Sequence, residues 1–307
     1  MKEIKNLHKP VLMEEVLEYL DPQQGQWYLD ATLGDAGHTL ELLKHDSSVL
    51  GLDQDPKALE RSQTIIADQL PDKDIKVLTK PKKVDKAADC ILLQGNFSNL
   101  KELTAKISFE KFSGILFDLG VSTHQILSDQ RGFSFQSDAP LDMRMNPELS
   151  VTAADLVNGL RTAELKNLFR TLGDEPFAKP IAEKIVNTRK EKPITTTKEL
   201  AYLVESVKHR SGKLHPATKV FQALRMAVNS ERENLTQTLP QAVELLQKDA
   251  KLAVISFHAG EDRIVKQFFK NSSQLKILTK KPISPQISEI KYNPRSRSAK
   301  LRVAQKK

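Results

Sequence analysis

Apolar positions in the first 120 residues come in two alternating forms. Short apolar runs at 27–30, 49–53, 90–93 and 115–118 have the compact signature of buried strands. Between them, apolar residues recur three and four apart, as on a helix with one buried face. Helices are predicted over 11–20, from about His38, from Pro56 to about Gln69, and between the third and fourth strands. Pro56 stands at a first-turn position, where its missing N–H costs nothing. The lysine-rich stretch 71–86 reads as an exposed loop. Strand and helix alternate in this way when a parallel sheet is covered on both faces, so the fold class is α/β with a doubly wound sheet. Ligands of such sheets sit beyond the carboxyl ends of the strands. Here those ends carry Asp30, Asp53 and Asp118.

From 122 to 212 the pattern turns helical, with amphipathic stretches at 153–158, 163–172, 177–188 and 197–208. This is an all-helical domain inserted into the α/β domain, which spans 1–121 and 213–307. After the insertion, Phe221, Leu224, Val228, Leu235, Val243 and Leu246 keep helical spacing, and Pro240 marks a break or kink. A strand at 252–257, a helix at 261–269 and a last strand at 300–303 complete the α/β domain.

Charge narrows the partners. Lys and Arg outnumber Asp and Glu by 47 to 39 in 307 residues, and the tail after Glu289 carries seven cations and no acid. An excess of this kind suits a polyanion such as nucleic acid. A single cysteine, Cys90, rules out an internal disulfide and any multi-cysteine metal centre, and no metal is expected. No apolar stretch approaches the length of a membrane span, so the expected setting is cytoplasmic, away from membranes.

The chemistry gathers at the strand ends. The run Tyr28-Leu-Asp-Ala-Thr-Leu-Gly-Asp-Ala-Gly-His38 leaves a strand and enters a helix through Gly34 and Gly37, a turn that lets backbone approach a ligand. It is not the pyrophosphate fingerprint, because positions 31 and 36 are alanine. About twenty residues on, Asp53 is placed to accept both hydroxyls of a ribose, while Asp55 serves as cap of the next helix. An acid-loaded rim suits a sulfonium better than a pyrophosphate, which favours S-adenosylmethionine over a nicotinamide cofactor. Phe97 follows the third strand as a core residue or a cover for an adenine ring. Asp118 is the candidate to hold an amino hydrogen during methyl transfer, or else binds cofactor.

The segments YLDATLGDAGHT, GLDQDP, GILFDLGVSTHQ, RGFSFQSDAPLDMRMN, HPATKVFQALRMAVNSE, LAVISFHAGEDRIVKQFF and NPRSRSAKLRV occur in this order across nearly the whole chain. Together they resemble the RsmH (MraW) family of small-subunit ribosomal RNA methyltransferases. The resemblance implies a Rossmann-like class I methyltransferase sheet with an inserted all-helical domain for substrate recognition. It implies N4-methylation of a specific cytidine in 16S rRNA near the decoding centre, within the small ribosomal subunit or its precursor. The cofactor set it implies is Ala36, Gly37, His38, Asp53, Phe97, Asp118 and Gln125. Asp142, Arg144 and His258 lie in family motifs as candidate substrate contacts, and Arg295 and Arg297 as grips on phosphate. For Arg144 the alternative is a salt bridge tying the insertion to the sheet. The glycine loop departs from the family's Gly-Gly-Gly-Gly-His: Asp35 adds a charge, and Ala36 fits if its φ is negative. Two other readings compete, a nicotinamide-dependent oxidoreductase and a non-catalytic RNA-binding assembly factor. A monomer and a homodimer are both compatible with the sequence.

Overall fold

A computed structural model describes residues 10–120, 124, 131–210 and 214–307. Gln125 lies outside them. The chain forms two compact units, Met1–Gly120 with Arg232–Lys307, and Val121–Glu231.

The first unit is built on an eight-stranded sheet in the order β3-β4-β2-β1-β5-β6-β8-β7. The strands are β1 (Trp27–Asp30), β2 (Ser48–Asp53), β3 (Ile75–Leu78), β4 (Cys90–Gln94), β5 (Phe112–Asp118), β6 (Leu246–Ser256), β7 (Leu275–Ile277) and β8 (Lys300–Lys306). Pairing from β3 through β6 is parallel, and β8 runs antiparallel to both of its neighbours. Successive residues of each strand point to opposite faces, so the sheet feeds two cores. Leu50, Leu52, Ile91, Leu93, Ile115 and Phe117 enter one, under α4 (Leu100–Lys106), α10 (Glu231–Leu245) and α11 (Ala259–Asn271). Val49, Cys90, Leu92 and Leu116 enter the other, under α1 (Met13–Leu20), α2 (Gly37–Lys44) and α3 (Pro56–Gln69). This is the Rossmann-like arrangement expected from the alternating pattern. Strand order reverses beside β1, and ligands of doubly wound sheets sit at such a switch point, here the carboxyl ends of β1 and β5.

The second unit packs α5 (Ala153–Gly159), α6 (Thr162–Gly173), α7 (Ala178–Thr188), α8 (Thr197–Val207) and α9 (Thr218–Val228) around its own core of Leu165, Phe169, Ile181, Leu200, Val220 and Leu224. Gly173 lets α6 pack tightly on α9: a Cβ there would lie 2.4 Å from the Lys219 carbonyl oxygen. No helix among the described residues is long and apolar enough to cross a membrane.

Four sequence expectations change. The stretch 71–86 is not all loop, because Ile75–Leu78 adds an edge strand beside β4. Lys73 and Lys76 hid its short apolar run, and lysine is a usual guard of exposed edges. The insertion ends at 231 and not 212, because α9 turns Val220, Phe221 and Leu224 into the helical core. Periodicity identifies a buried helical face without saying which core it meets. The helical break falls at Ser230, with φ of 48°, whereas α10 runs on through Pro240. Burial of Leu235, Leu239, Ala242 and Val243 holds that helix on both sides of the proline. Finally, β7 and the short α12 (Ile287–Tyr292) were not foreseen; three and six residues are too few to show a period.

Candidate active site

The carboxyl edge of the sheet collects acids whose neighbours are mainly neutral. Asp30 ends β1 fully buried; its carboxylate accepts from Thr39 Oγ1 at 2.8 Å and from the Thr32 amide at 3.2 Å. Burial pushes it up to about 6 against the pull of those bonds. Asp53 ends β2 and accepts from the amides of Gly34 and Asp55, each at 2.9 Å. Burial pushes it also to about 6, against those same amides. Asp118 ends β5, and its own amide donates to Thr32 Oγ1 at 2.6 Å. Desolvation, followed by the charges of Asp30 and Glu261, pushes it up to about 8. One Asp118 oxygen lies 3.7 Å from His38 Nδ1, and the other, Oδ1, is buried with no hydrogen-bond partner among the described residues.

The glycine loop is held from two sides. Asp53 takes the Gly34 amide, and Ser62 Oγ on α3 donates to the Gly34 carbonyl at 3.0 Å. Asp35 pairs with Arg61 of α3 at 3.1 Å, so its charge is met within the protein. Ala36 caps α2 with φ of 58°, so the negative φ under which alanine fits without strain is not what the loop adopts. The tight turn after Leu33, closed by the Ala36 amide on the Leu33 carbonyl at 2.8 Å, holds Ala36 in the left-handed region that glycine adopts without strain. Gly37 opens α2. The His38 side chain is buried, its Nε2 3.1 Å from the Val11 carbonyl. Asp55 does cap α3, accepting from the Lys57 amide at 3.1 Å. Phe97 is half-buried against the core and meets Phe117 edge-on at 5.7 Å.

Other candidate residues lie elsewhere. Asp142 and Arg144 are both in the helical unit and form a bidentate pair at 2.7 and 2.8 Å. Arg144 also donates to the carbonyls of Pro147 and Leu149. The salt bridge weighed for Arg144 therefore exists, but it closes a loop inside the insertion and does not reach the sheet. Desolvation opposes ionisation of Asp142, yet the hydrogen bonds and charge of Arg144 hold its carboxyl below the ordinary value. His258 caps α11: its Nδ1 accepts from the Gly260 and Glu261 amides. Arg295 and Arg297 are exposed on a single 3-10 turn, 294–298. Thr32, Thr39 and Glu261 were not singled out in the sequence; all three shape the field at Asp118 and Asp30. The threonines' nearness to Asp30 in the motif was the available signal.

Three carboxylates at the carboxyl ends of β1, β2 and β5, Asp30 buried and Asp53 and Asp118 partly so, form an edge suited to a cation. A pyrophosphate would meet repulsion there. The orphaned Asp118 oxygen likewise calls for a donor that the described residues do not supply.

A family model for MraW methylases matches residues 5–307. The chain belongs to the MraW methylase family. It is 43% identical over 307 residues to the ribosomal RNA small subunit methyltransferase H of Persephonella marina, covering 97% of this chain and 99% of that one. It is 42% identical over 306 residues to the protein of the same name from Coprothermobacter proteolyticus, covering 97% and 96%. Among solved structures, an rRNA methylase from Streptococcus thermophilus aligns over 98% of this chain and 99% of that one, with a TM-score of 0.44 and 10% identity. The family member described here is an S-adenosylmethionine-dependent methyltransferase.

Proposed function

We propose that this methylase acts on small-subunit ribosomal RNA and methylates the N4 amine of one cytidine near the decoding centre. The observation that carries the reading is the row of carboxylates at the carboxyl ends of β1, β2 and β5, where Asp118 Oδ1 has no hydrogen-bond partner among the described residues. The bound cofactor supplies a methyl group on a positively charged sulfur. The Gly34–His38 loop and the end of β2 would hold it, with each Asp53 oxygen keeping a lone pair for a ribose hydroxyl beyond its amide bond. Phe97 would cover the adenine, and Gln125, outside the described residues, belongs to the same set.

Asp118 is placed to orient the acceptor. An exocyclic amine is a poor nucleophile because its lone pair is delocalised into the ring. A carboxylate that accepts one amino hydrogen favours pyramidal nitrogen and fixes its lone pair in line. The same carboxylate is a base for the proton released on methylation, with His38 Nδ1 3.7 Å from its other oxygen, Oδ2. Reaching the amine requires an unstacked base, consistent with single-stranded RNA as the recognised form. The helical unit is the proposed recognition module, and Asp142, Arg144, His258, Arg295 and Arg297 the candidate substrate contacts.

The test is transfer of labelled methyl from S-adenosylmethionine to small-subunit particles that lack the modification, followed by nucleoside mass spectrometry. N4-methylcytidine at one position is the expected product. Methylation elsewhere, or of another base, would overturn the substrate reading.

A further inference from the structure

The chain between β7 and β8 lies over the same sheet edge as the acids. Ile283 bridges Leu301 of β8, Leu301 pairs with Ile255 of β6, and Ile255 pairs with Asp118 of β5. With neighbouring strands about 4.8 Å apart, this row places Leu301 roughly 10 Å from Asp118. The 3-10 turn 294–298 enters β8 directly, so it overhangs that edge.

Its inner side is fixed. Glu289 is buried and accepts the Leu12 amide at 3.0 Å; Asn293 and Ser296 are buried, and Ser296 Oγ donates to the Asn293 carbonyl at 2.8 Å. The outer side is different. Lys280, Lys281, Lys291, Arg295 and Arg297 are all exposed, and Glu289, the one acid between 279 and 299, faces inward. Two large apolar side chains stand among these cations, Ile287 at 76% and Tyr292 at 60% exposure. Partial burial, then the charges of Glu289, Glu14 and Glu15, raise the Tyr292 hydroxyl above its ordinary value, so the ring stays a neutral phenol. Lys300 and Arg302 do not join the surface, because Asp262 engages both at 3.7 and 2.6 Å.

A merely solvated turn needs charge but no protruding tyrosine and isoleucine. Cations that meet phosphates, combined with an aromatic face on which a base stacks, form the usual platform for single-stranded nucleic acid. We infer that this rim binds the RNA strand flanking the target nucleotide, with phosphates on Lys281 and Arg297 and an unpaired base stacked on Tyr292. The inference rests on the RNA substrate proposed above and adds where the strand runs. Duplex RNA offers no free base face to Tyr292, so the rim discriminates single from double strands.

The experiment uses the full chain and fluorescein-labelled oligocytidylate, single-stranded or in a duplex with oligoguanylate, followed by anisotropy across a salt series. Tyr292→Ala is expected to weaken single-strand binding about tenfold or more, with Tyr292→Phe close to wild type. The pair Lys281→Gln with Arg297→Gln is expected to lower the salt slope by about 1.4, two single-strand phosphate contacts. Thermal midpoints and S-adenosylmethionine affinity serve as controls for folding. Equal binding by Tyr292→Ala and wild type, or an unchanged salt slope in the double variant, would overturn the inference. These results are separable from the substrate reading. Wild type that methylates subunits while rim variants bind RNA normally sinks only the rim; rim-dependent RNA binding without subunit methylation sinks only the substrate.

Discussion

At the carboxyl edge of the sheet, Asp30 is buried, Asp53 and Asp118 are partly buried, and Asp118 lies 3.7 Å from the His38 imidazole. In the helical unit, Glu175, Asp142 and Arg225 each meet an opposite charge at 2.7 Å. The buried Glu175 also accepts the Phe177 amide at 2.9 Å, and the buried Asn229 bonds Met145, Met143 and the Arg225 carbonyl. One region leaves carboxylates short of cations, with a left-handed alanine beside them; the other closes its polar groups on one another. Under-neutralised charge and backbone strain are what a site keeps in reserve for a ligand, whereas saturated pairs hold shape. Asp142 and Arg144 carry a strong family resemblance, yet on this comparison they are loop clasps first.

The largest test of that contrast is Asp118→Asn. Methyl transfer is expected to fall by about 100-fold or more, because the amide cannot take a proton. The unliganded protein is expected to become more stable. The folded carboxyl titrates near 8 instead of near 4, so its ionisation cost is absent below about pH 4, grows as pH rises, and is complete above about 8. Its side chain is 23% exposed, so solvent screening reduces the gain at pH 8 to on the order of 1–3 kcal/mol. Urea unfolding at pH 4 and pH 8 measures it, and equal stability at both would remove the claim of a strained carboxylate.

In the helical unit the sign reverses. Glu175→Ala strips the Phe177 amide and Lys208 of their partner and is expected to cost about 2–4 kcal/mol, read as a fall in thermal midpoint. Arg144→Lys breaks the bidentate clasp at an expected cost of about 1–2 kcal/mol with cofactor affinity untouched. If Arg144→Lys instead lowers methyl transfer without altering stability, the residue contacts substrate and the division between regions is too sharp. The smallest effect belongs to Ala36→Gly. Relief of the left-handed conformation, partly offset by the freer unfolded chain, is expected to stabilise by about 0.5–1 kcal/mol in urea unfolding.

The doubly wound sheet could be read from alternating short apolar runs and helical periods, because buried parallel strands and half-buried helices leave different spacings. The placement of Asp30, Asp53 and Asp118 at strand ends followed from the same pattern. What stayed hidden depends on tertiary context. Lysines masked β3, and the core that α9 joins is set by packing that a period does not encode. Ala36 shows the limit at a single residue: its type argued for negative φ, and the turn required the opposite. His258 stands in a family motif, and its ring also caps α11, a role visible only once the helix start is known.

The most direct test of the central claim is calorimetric titration of S-adenosylmethionine into wild type and Asp53→Ala at pH 6 and pH 8. A cation seated among carboxylates that titrate near 6 to 8 should bind more tightly as they ionise. The account expects saturable binding, tighter at pH 8 than at pH 6, and lost in Asp53→Ala. Binding that ignores both the pH change and the substitution would contradict it.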